Sequence, residues 1–136
     1  MEVEAGFWAQ SWSPRGWAAE KLMGKNLHDY FPGIDHFSTT GIATSMKSMG
    51  LHLKSYQKPK NINSKVEKYV DEVANFHGNK FAGYVVRSED ITGRALDLAI
   101  PHAGNPAQQE AIKAAIDYAT TKGVKLNITI LKERKI

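Results

Sequence analysis

The sequence contains no cysteine, which removes disulfides, thiolate metal sites and cysteine nucleophiles from consideration. It has no apolar run near ~18 residues, so no membrane-spanning helix is expected. Its first residues, Met1-Glu2-Val3-Glu4, are acidic and lack the basic and apolar regions of a signal peptide. Five histidines occur (His28, His36, His52, His77 and His102), but no two form a helical i, i+4 pair and no zinc-ligand spacing is present. Gly24, Gly33, Gly41 and Gly50 stand alone, so there is no phosphate-cradling glycine loop, and no nucleophile elbow is found. The most local absence is of acid. No Asp or Glu lies between Asp35 and Glu67, a window that holds Lys47, Lys54, Lys58, Lys60 and Lys65. Such a window suits phosphate contacts through point charges as well as it suits a solvated loop.

What is present is an ordinary globular balance, 42% hydrophobic and 24% charged over 136 residues, enough for one domain and its core. The net charge of +4 permits an acidic partner without identifying one. Residues 1–13 are expected to form a linker or N-terminal extension, and residues 14–136 the domain. Phe7, Trp8 and Trp12 follow no clean period; packing onto the domain is expected ahead of a base-stacking role. Ser13-Pro14 predicts a helix start and Gly24 its stop. Strands are expected over 34–38 and 41–49. Ser64-Lys65-Val66-Glu67 reads as a capping box, with Ile62, Val66, Val70, Val73 and Phe76 at helical spacing. Strands over 80–87 and 94–100 follow, then a helix capped by Asn105-Pro106 and stopped by Gly123. The last strand alternates cleanly, with Val124, Leu126, Ile128 and Ile130 opposite Lys125, Asn127 and Thr129. A basic tail, Lys132-Glu133-Arg134-Lys135, closes the sequence. This order predicts a single α/β (α+β) domain, a mixed central sheet with helices packed against it.

The chemistry-bearing stretch is Phe31 to Lys47, two extended arms around a tight turn. Ser45 and Lys47 are two residues apart in a strand and share a face. If the arms pair, Asp35 approaches them, and Glu20 becomes more than a solvated helical glutamate. The set Glu20, Asp35, Ser45 and Lys47 suits metal-assisted phosphodiester hydrolysis. Carboxylates would hold a hard divalent cation, and a lysine would stabilise developing charge. Two other readings stand beside it. One is metal-independent acid–base chemistry on RNA by a pair of histidines. The other is a non-enzymatic basic module that binds nucleic acid through Lys54 to Lys65. Asp97, amid Ala95, Leu96, Leu98 and Ala99, is expected to be a surface-facing strand residue rather than a ligand.

A helical Glu20, then Pro32-x-x-Asp35, then Ser45-Met46-Lys47 resembles the PD-(D/E)xK nucleases. More narrowly, residues 41–49 (GIATSMKSM) followed by a long amphipathic helix resemble the C-terminal toxin domains of bacterial contact-dependent growth inhibition proteins. The closing Arg94–Pro101 run and Gly123-Val124-Lys125-Leu126 add to the likeness, which extends from about Trp17 to Leu131. The resemblance implies a restriction-endonuclease-like core. It also implies a nuclease toxin at the tip of a larger secreted or cell-surface protein, acting in the cytoplasm of a target cell. A cognate immunity protein would neutralise it, and a divalent metal, Mg2+ or Zn2+, would be its cofactor. Glu20 and Asp35 would be the metal ligands, and Lys47 the catalytic lysine. Ser45 occupies the (D/E) position. A hydroxyl there is a poorer ligand than a carboxylate, which shifts the metal onto Glu20 and Asp35. Serine at that position resembles DNA-cutting members of the group, so DNA is favoured slightly over tRNA.

Overall fold

A computed structural model describes residues 1–10 and 12–134 and, of residues 12–14, the backbone alone. In chain order the elements are β1 (Glu2–Val3), α1 (Trp12–Leu22), β2 (His36–Phe37), β3 (Ile42–Ser48), α2 (Pro59–Ala74), β4 (Asn79–Phe81), β5 (Tyr84–Val86), β6 (Gly93–Ile100), α3 (Pro106–Thr121), β7 (Val124–Ile130) and β8 (Lys132–Glu133). Helix α1 begins at Trp12, one residue before the expected Ser13 cap, whose side chain lies outside the described residues, as does the last residue of the basic tail, Lys135.

The central sheet has four strands in the order β2-β3-β6-β7, with β2 antiparallel to β3 and the other pairs parallel. The steps β3-α2-β6 and β6-α3-β7 move the same way across the sheet. Right-handed crossovers therefore put both helices on one face. That face holds the main core. Ile62, Val66, Val70 and Val73 form the buried stripe of α2, and Ala111, Ile112, Ala115 and Ala119 that of α3, against Leu96, Leu98 and Leu126 of the sheet. The alanines let the helices come close enough for direct bonds. Asn63 Nδ2 donates to Ala111 O (2.8 Å), and Tyr118 OH donates to Asp71 Oδ1 (2.7 Å). The opposite face is covered at one end only, by Ala19 of α1 with Val3, Phe7 and Trp8 against Ala99 and Leu131. Trp8 Nε1 donates to Leu131 O (2.7 Å), and β1 pairs in parallel with β8, so the N-terminal aromatics pack onto the domain.

Helix α3 begins as its sequence indicates, with Asn105 and Gln108 bonded reciprocally and Pro106 in the first turn. Two expectations are corrected. Helix α2 starts at Pro59, which leaves Ser64-Lys65-Val66-Glu67 inside the helix. Ile62 is fully buried one turn ahead of Val66, and proline at the helix start lacks only an N–H that had no partner to find. Residues 80–87 form no single strand but a hairpin, β4 with β5. Its turn is Ala82-Gly83, with φ of +51° and +84°. Such a turn matches strand twist, but alanine is not a residue that announces it.

Gln108 ties this frame to the segment before α2. It is 2% exposed, and its Nε2 donates to Leu51 O and Tyr56 O, both at 3.0 Å. Gln108→Ala should cost about 1–3 kcal/mol, because it removes the bonds to Leu51 O, Tyr56 O and Asn105 N–H and leaves Leu51 O with its Gln57 donor alone. The expected outcome is a lower urea midpoint with unchanged m-value.

Candidate active site

Strand β2 pairs with β3 only at His36↔Thr44 and Phe37↔Ala43. Beyond Thr44 the outer edge of β3 has no strand beside it, and its N–H groups need other acceptors. Asp35 supplies one. Its own N–H donates to Thr44 O (2.9 Å), and its Oδ2 accepts from Met46 N–H (2.7 Å). A side chain thus extends the ladder past the point where the strand has ended.

The chain before Asp35 is fixed by the end of α1. Gly24 adopts φ +94°, Gly24 N–H donates to Lys21 O (3.3 Å) and Lys25 N–H to Glu20 O (3.1 Å). This is a Schellman reversal, which a residue with a Cβ enters only with strain. It sends Asn26 and Leu27 alongside Asp35, whose C=O accepts from both N–H groups (3.2 and 3.1 Å). The Asn26 side-chain amide then pairs with the Phe37 main chain in both directions, each bond 2.9 Å. With both chain ends anchored, the Asp35 carboxylate lies close enough to Glu20 to raise its pKa.

Burial, then the bond to Asp35 and its charge, pushes Glu20 up to about 8, against the opposing influence of Lys25 and Lys47. Glu20 therefore holds a proton at neutral pH. Lys25 Nζ lies 3.7 Å from Glu20 Oε2 and 3.2 Å from Asp29 Oδ1, and its side chain is 6% exposed.

Lys47 belongs to the same site. Its Nζ lies 5.3 Å from the centre of the Tyr69 ring, and Lys65 Nζ lies 5.4 Å from the same ring. Burial pushes the Tyr69 phenol up to about 12, so it remains neutral. Ser45 is buried two residues behind Lys47 on β3. A cleft of about 590 Å³ is lined by Arg15, Glu20, Lys47, Lys65, Lys68 and Tyr69 among others, while Asp35 and Ser45 lie outside its lining.

Of the expected nucleic-acid contacts, Lys65 lines this cleft, whereas Lys54, Lys58 and Lys60 are exposed and do not. The histidines are scattered. His28 packs on Tyr30, Phe81 and Tyr84; His52 sits by Trp8; and His77 bonds Arg94. His36 lines a separate groove of about 760 Å³ on the open sheet face. Asp97 lines it too, half-buried, accepting from Asn127 Nδ2 (2.9 Å). The sequence reading missed Arg15, Lys25, Lys68 and Tyr69. Arg15 had a signal: it occupies the stripe of Ala19 and Met23, a core-facing position where arginine is out of place.

Among the described residues no three His, Asp or Glu side chains form a metal-binding group. Any metal would rest on Glu20 and Asp35. These two offer oxygen donors that fit a hard divalent cation, whose charge would add to the partial compensation Lys25 gives Glu20. With oxygen donors alone they suit a magnesium-like ion, which keeps several waters, better than zinc.

Glu20 keeps its proton to about pH 8 when folded and loses it near 4.5 when unfolded. Between those values the folded state binds the extra proton, so metal-free stability falls as pH rises through that window. In EDTA, Glu20→Gln should remove this part of the slope and raise Tm at pH 8 by a few degrees, with no gain at pH 4. Thermal melts of both proteins across that range check it. Calorimetry should also show protons released on magnesium binding to the unmodified protein.

Residues 15–129 match the family model of the CDI toxin restriction endonuclease-like domain. The chain is 30% identical over 133 residues to the deoxyribonuclease CdiA of Yersinia pseudotuberculosis serotype O:3 (strain YPIII), a match spanning 92% of this chain and 12% of that protein. It is 28% identical over 138 residues to the deoxyribonuclease CdiA-o11 of Escherichia coli O157:H7 (strain EC869), spanning 92% and 35% respectively. The chain thus spans about a third or less of the length of these relatives. The solved CdiA-CT/CdiI toxin and immunity complex from Yersinia pseudotuberculosis contains a similar chain. Its TM-score is 0.67 at 28% identity, covering 93% of this chain and 100% of that one. By sequence and by fold, the chain belongs to the CDI toxin restriction endonuclease-like domain family.

Proposed function

We propose that this domain is a metal-dependent endonuclease toxin that hydrolyses phosphodiester bonds of DNA. The observation that carries the reading is the Glu20–Asp35 carboxyl pair, held at the open edge of β3 beside Lys47 in a basic cleft. The deoxyribonuclease names of two relatives favour DNA over tRNA. A cognate immunity protein is the proposed partner, supported by the relative solved as a toxin and immunity complex. The proposed setting is the tip of a larger cell-surface protein, with residues 14–136 as the cutting module, residues 1–13 as its extension, and the cytoplasm of a target cell as the place of action.

The chain's own groups divide the work. Glu20 and Asp35 would hold the cation. When bound, the cation supplies activation of a water and neutralisation of charge on the scissile phosphate. Lys47 would place its ammonium at the charge that develops on the phosphate oxygens. Tyr69 limits where that ammonium can go, since the ring attracts both Lys47 and Lys65. Ser45, neutral and buried below Lys47, would act as a hydrogen-bonding group rather than a charged ligand. Lys65 and Lys68, at the cleft wall, would contact backbone phosphates.

Asp35→Asn and Lys47→Ala should fold, with Tm within a few degrees of the unmodified protein, and lose cleavage by at least ~10²-fold. Supercoiled plasmid and total tRNA, each with magnesium or EDTA, are the assay. Undiminished cutting by either variant would defeat the site assignment. Cutting that survives EDTA would remove the metal, and cut tRNA beside intact plasmid would move the substrate.

A further inference from the structure

Among the described residues Arg15 is a buried cation with no carboxylate partner. The residue is 8% exposed, yet it lines the cleft that holds Glu20 and Lys47. Its guanidinium carbon lies 5.3 Å from the centre of the Trp8 ring, and its Nε donates to Ser48 Oγ at 3.3 Å. Among the described residues it forms no ion pair with any carboxylate. Trp8 and Ser48 hold the planar group but leave its charge uncompensated. Desolvation pulls its pKa below the ordinary arginine value. A buried unpaired charge is costly, and a fold whose core ends in alanine and tryptophan at this point gains nothing from it.

The missing anion has a direction. Ser48 follows Lys47 on β3, so their side chains leave opposite faces of the strand. The cleft at the open β3 edge is what brings Arg15 and Lys47 together, since both line it. Among the described residues no buried side-chain nitrogen is left without a partner, Arg15 included. The acids of the cleft lining are Glu20, beside Asp35, and Glu72 on the α2 wall.

We propose that Arg15 is the anchor of a second phosphate subsite, clamping a backbone phosphodiester that flanks the one being cut. The planar fork takes two oxygens of one phosphate, which sets the register of the strand relative to Lys47. Trp8 and Ser48 fix its orientation before the substrate arrives. The inference rests on the endonuclease reading above and names a residue that reading does not use.

The test is binding and stability together, on Arg15→Met and Arg15→Gln in the full chain. Binding of a short fluorescent DNA duplex is followed by anisotropy over a range of salt, without divalent metal, and KM and kcat are taken with magnesium. The expected results are a Kd about tenfold higher, a slope of log Kd against log salt smaller by about 0.9, and an effect on KM larger than on kcat. The melting temperature of Arg15→Met should not fall, because an apolar side chain of similar length removes an uncompensated charge. Salt slopes equal to that of the unmodified protein in both variants would overturn the proposal, and so would a lowered Tm with unchanged Kd, the signature of a purely structural arginine. If the unmodified protein neither binds nor cuts DNA, both readings fall; if it does both and the variants match its slope, only the subsite falls.

Discussion

One hydrogen bond organises the site: Met46 N–H to the Asp35 carboxylate, 2.7 Å long. It exists because β2 is only two residues long and leaves most of the β3 edge without a neighbour. An exposed edge is usually protected by a longer strand, a bulge or a charge. Here the charge does so, and the carboxylate that ends the ladder is the one that meets Glu20. A carboxylate accepts more bonds than one N–H supplies, so Asp35 can close the edge and still act on Glu20. The reversal at Gly24 and the Asn26 clamp on Phe37 serve the same end, holding a short, poorly paired segment in place by side chains and turns.

That arrangement stores an unfavourable term. Two carboxyl groups lie together in a half-buried place, with Glu20 raised by burial and by its neighbour. Lys25 offsets part of it, but at 3.7 Å from Glu20 and 3.2 Å from Asp29 its charge is divided between two acids. The strong packing is elsewhere, in the α2–α3 face of the sheet. The division is physically sensible. The layer of valine, isoleucine and alanine supplies stability, and the sheet edge can then carry like charges and an unpaired guanidinium, features that favour ligand binding over folding.

Much of this was legible in the sequence, and the reasons differ by element. The α3 start was readable because Asn105, Pro106 and Gln108 act through local bonds. The final strand was readable because its alternation is unbroken. Asp35 and Lys47 stood out in the sequence because few residue types serve phosphodiester hydrolysis, and the fold sets both at the β3 edge. The start of α2 was misread, since Ser64 and Glu67 also fit a solvated helical face and only the burial of Ile62 decides between the two. The β4–β5 turn was invisible because Ala82 takes a left-handed conformation that alanine rarely adopts. Tyr69 and Lys25 were missed because their roles come from contacts across the fold, to Lys47 and Glu20, that no local pattern encodes.

The lysine window shows why charge density along a chain is a poor guide to an electrostatic surface. Five lysines lie between Asp35 and Glu67, yet only Lys47 and Lys65 reach the cleft. What selects them is phase. On α2 the buried stripe is Ile62, Val66, Val70 and Val73, and on the cleft side Lys65, Tyr69 and Glu72 each stand one residue before Val66, Val70 and Val73, with Lys68 beside them. One residue is about 100° of helix, so the face that packs on the sheet fixes the face that meets the substrate. Lys54, Lys58 and Lys60 precede that constraint or stand at its start, and they point to solvent. Core and site are therefore two sides of one helix, and a change of side-chain volume at Val66 or Val70 moves Tyr69, and with it the position of Lys47.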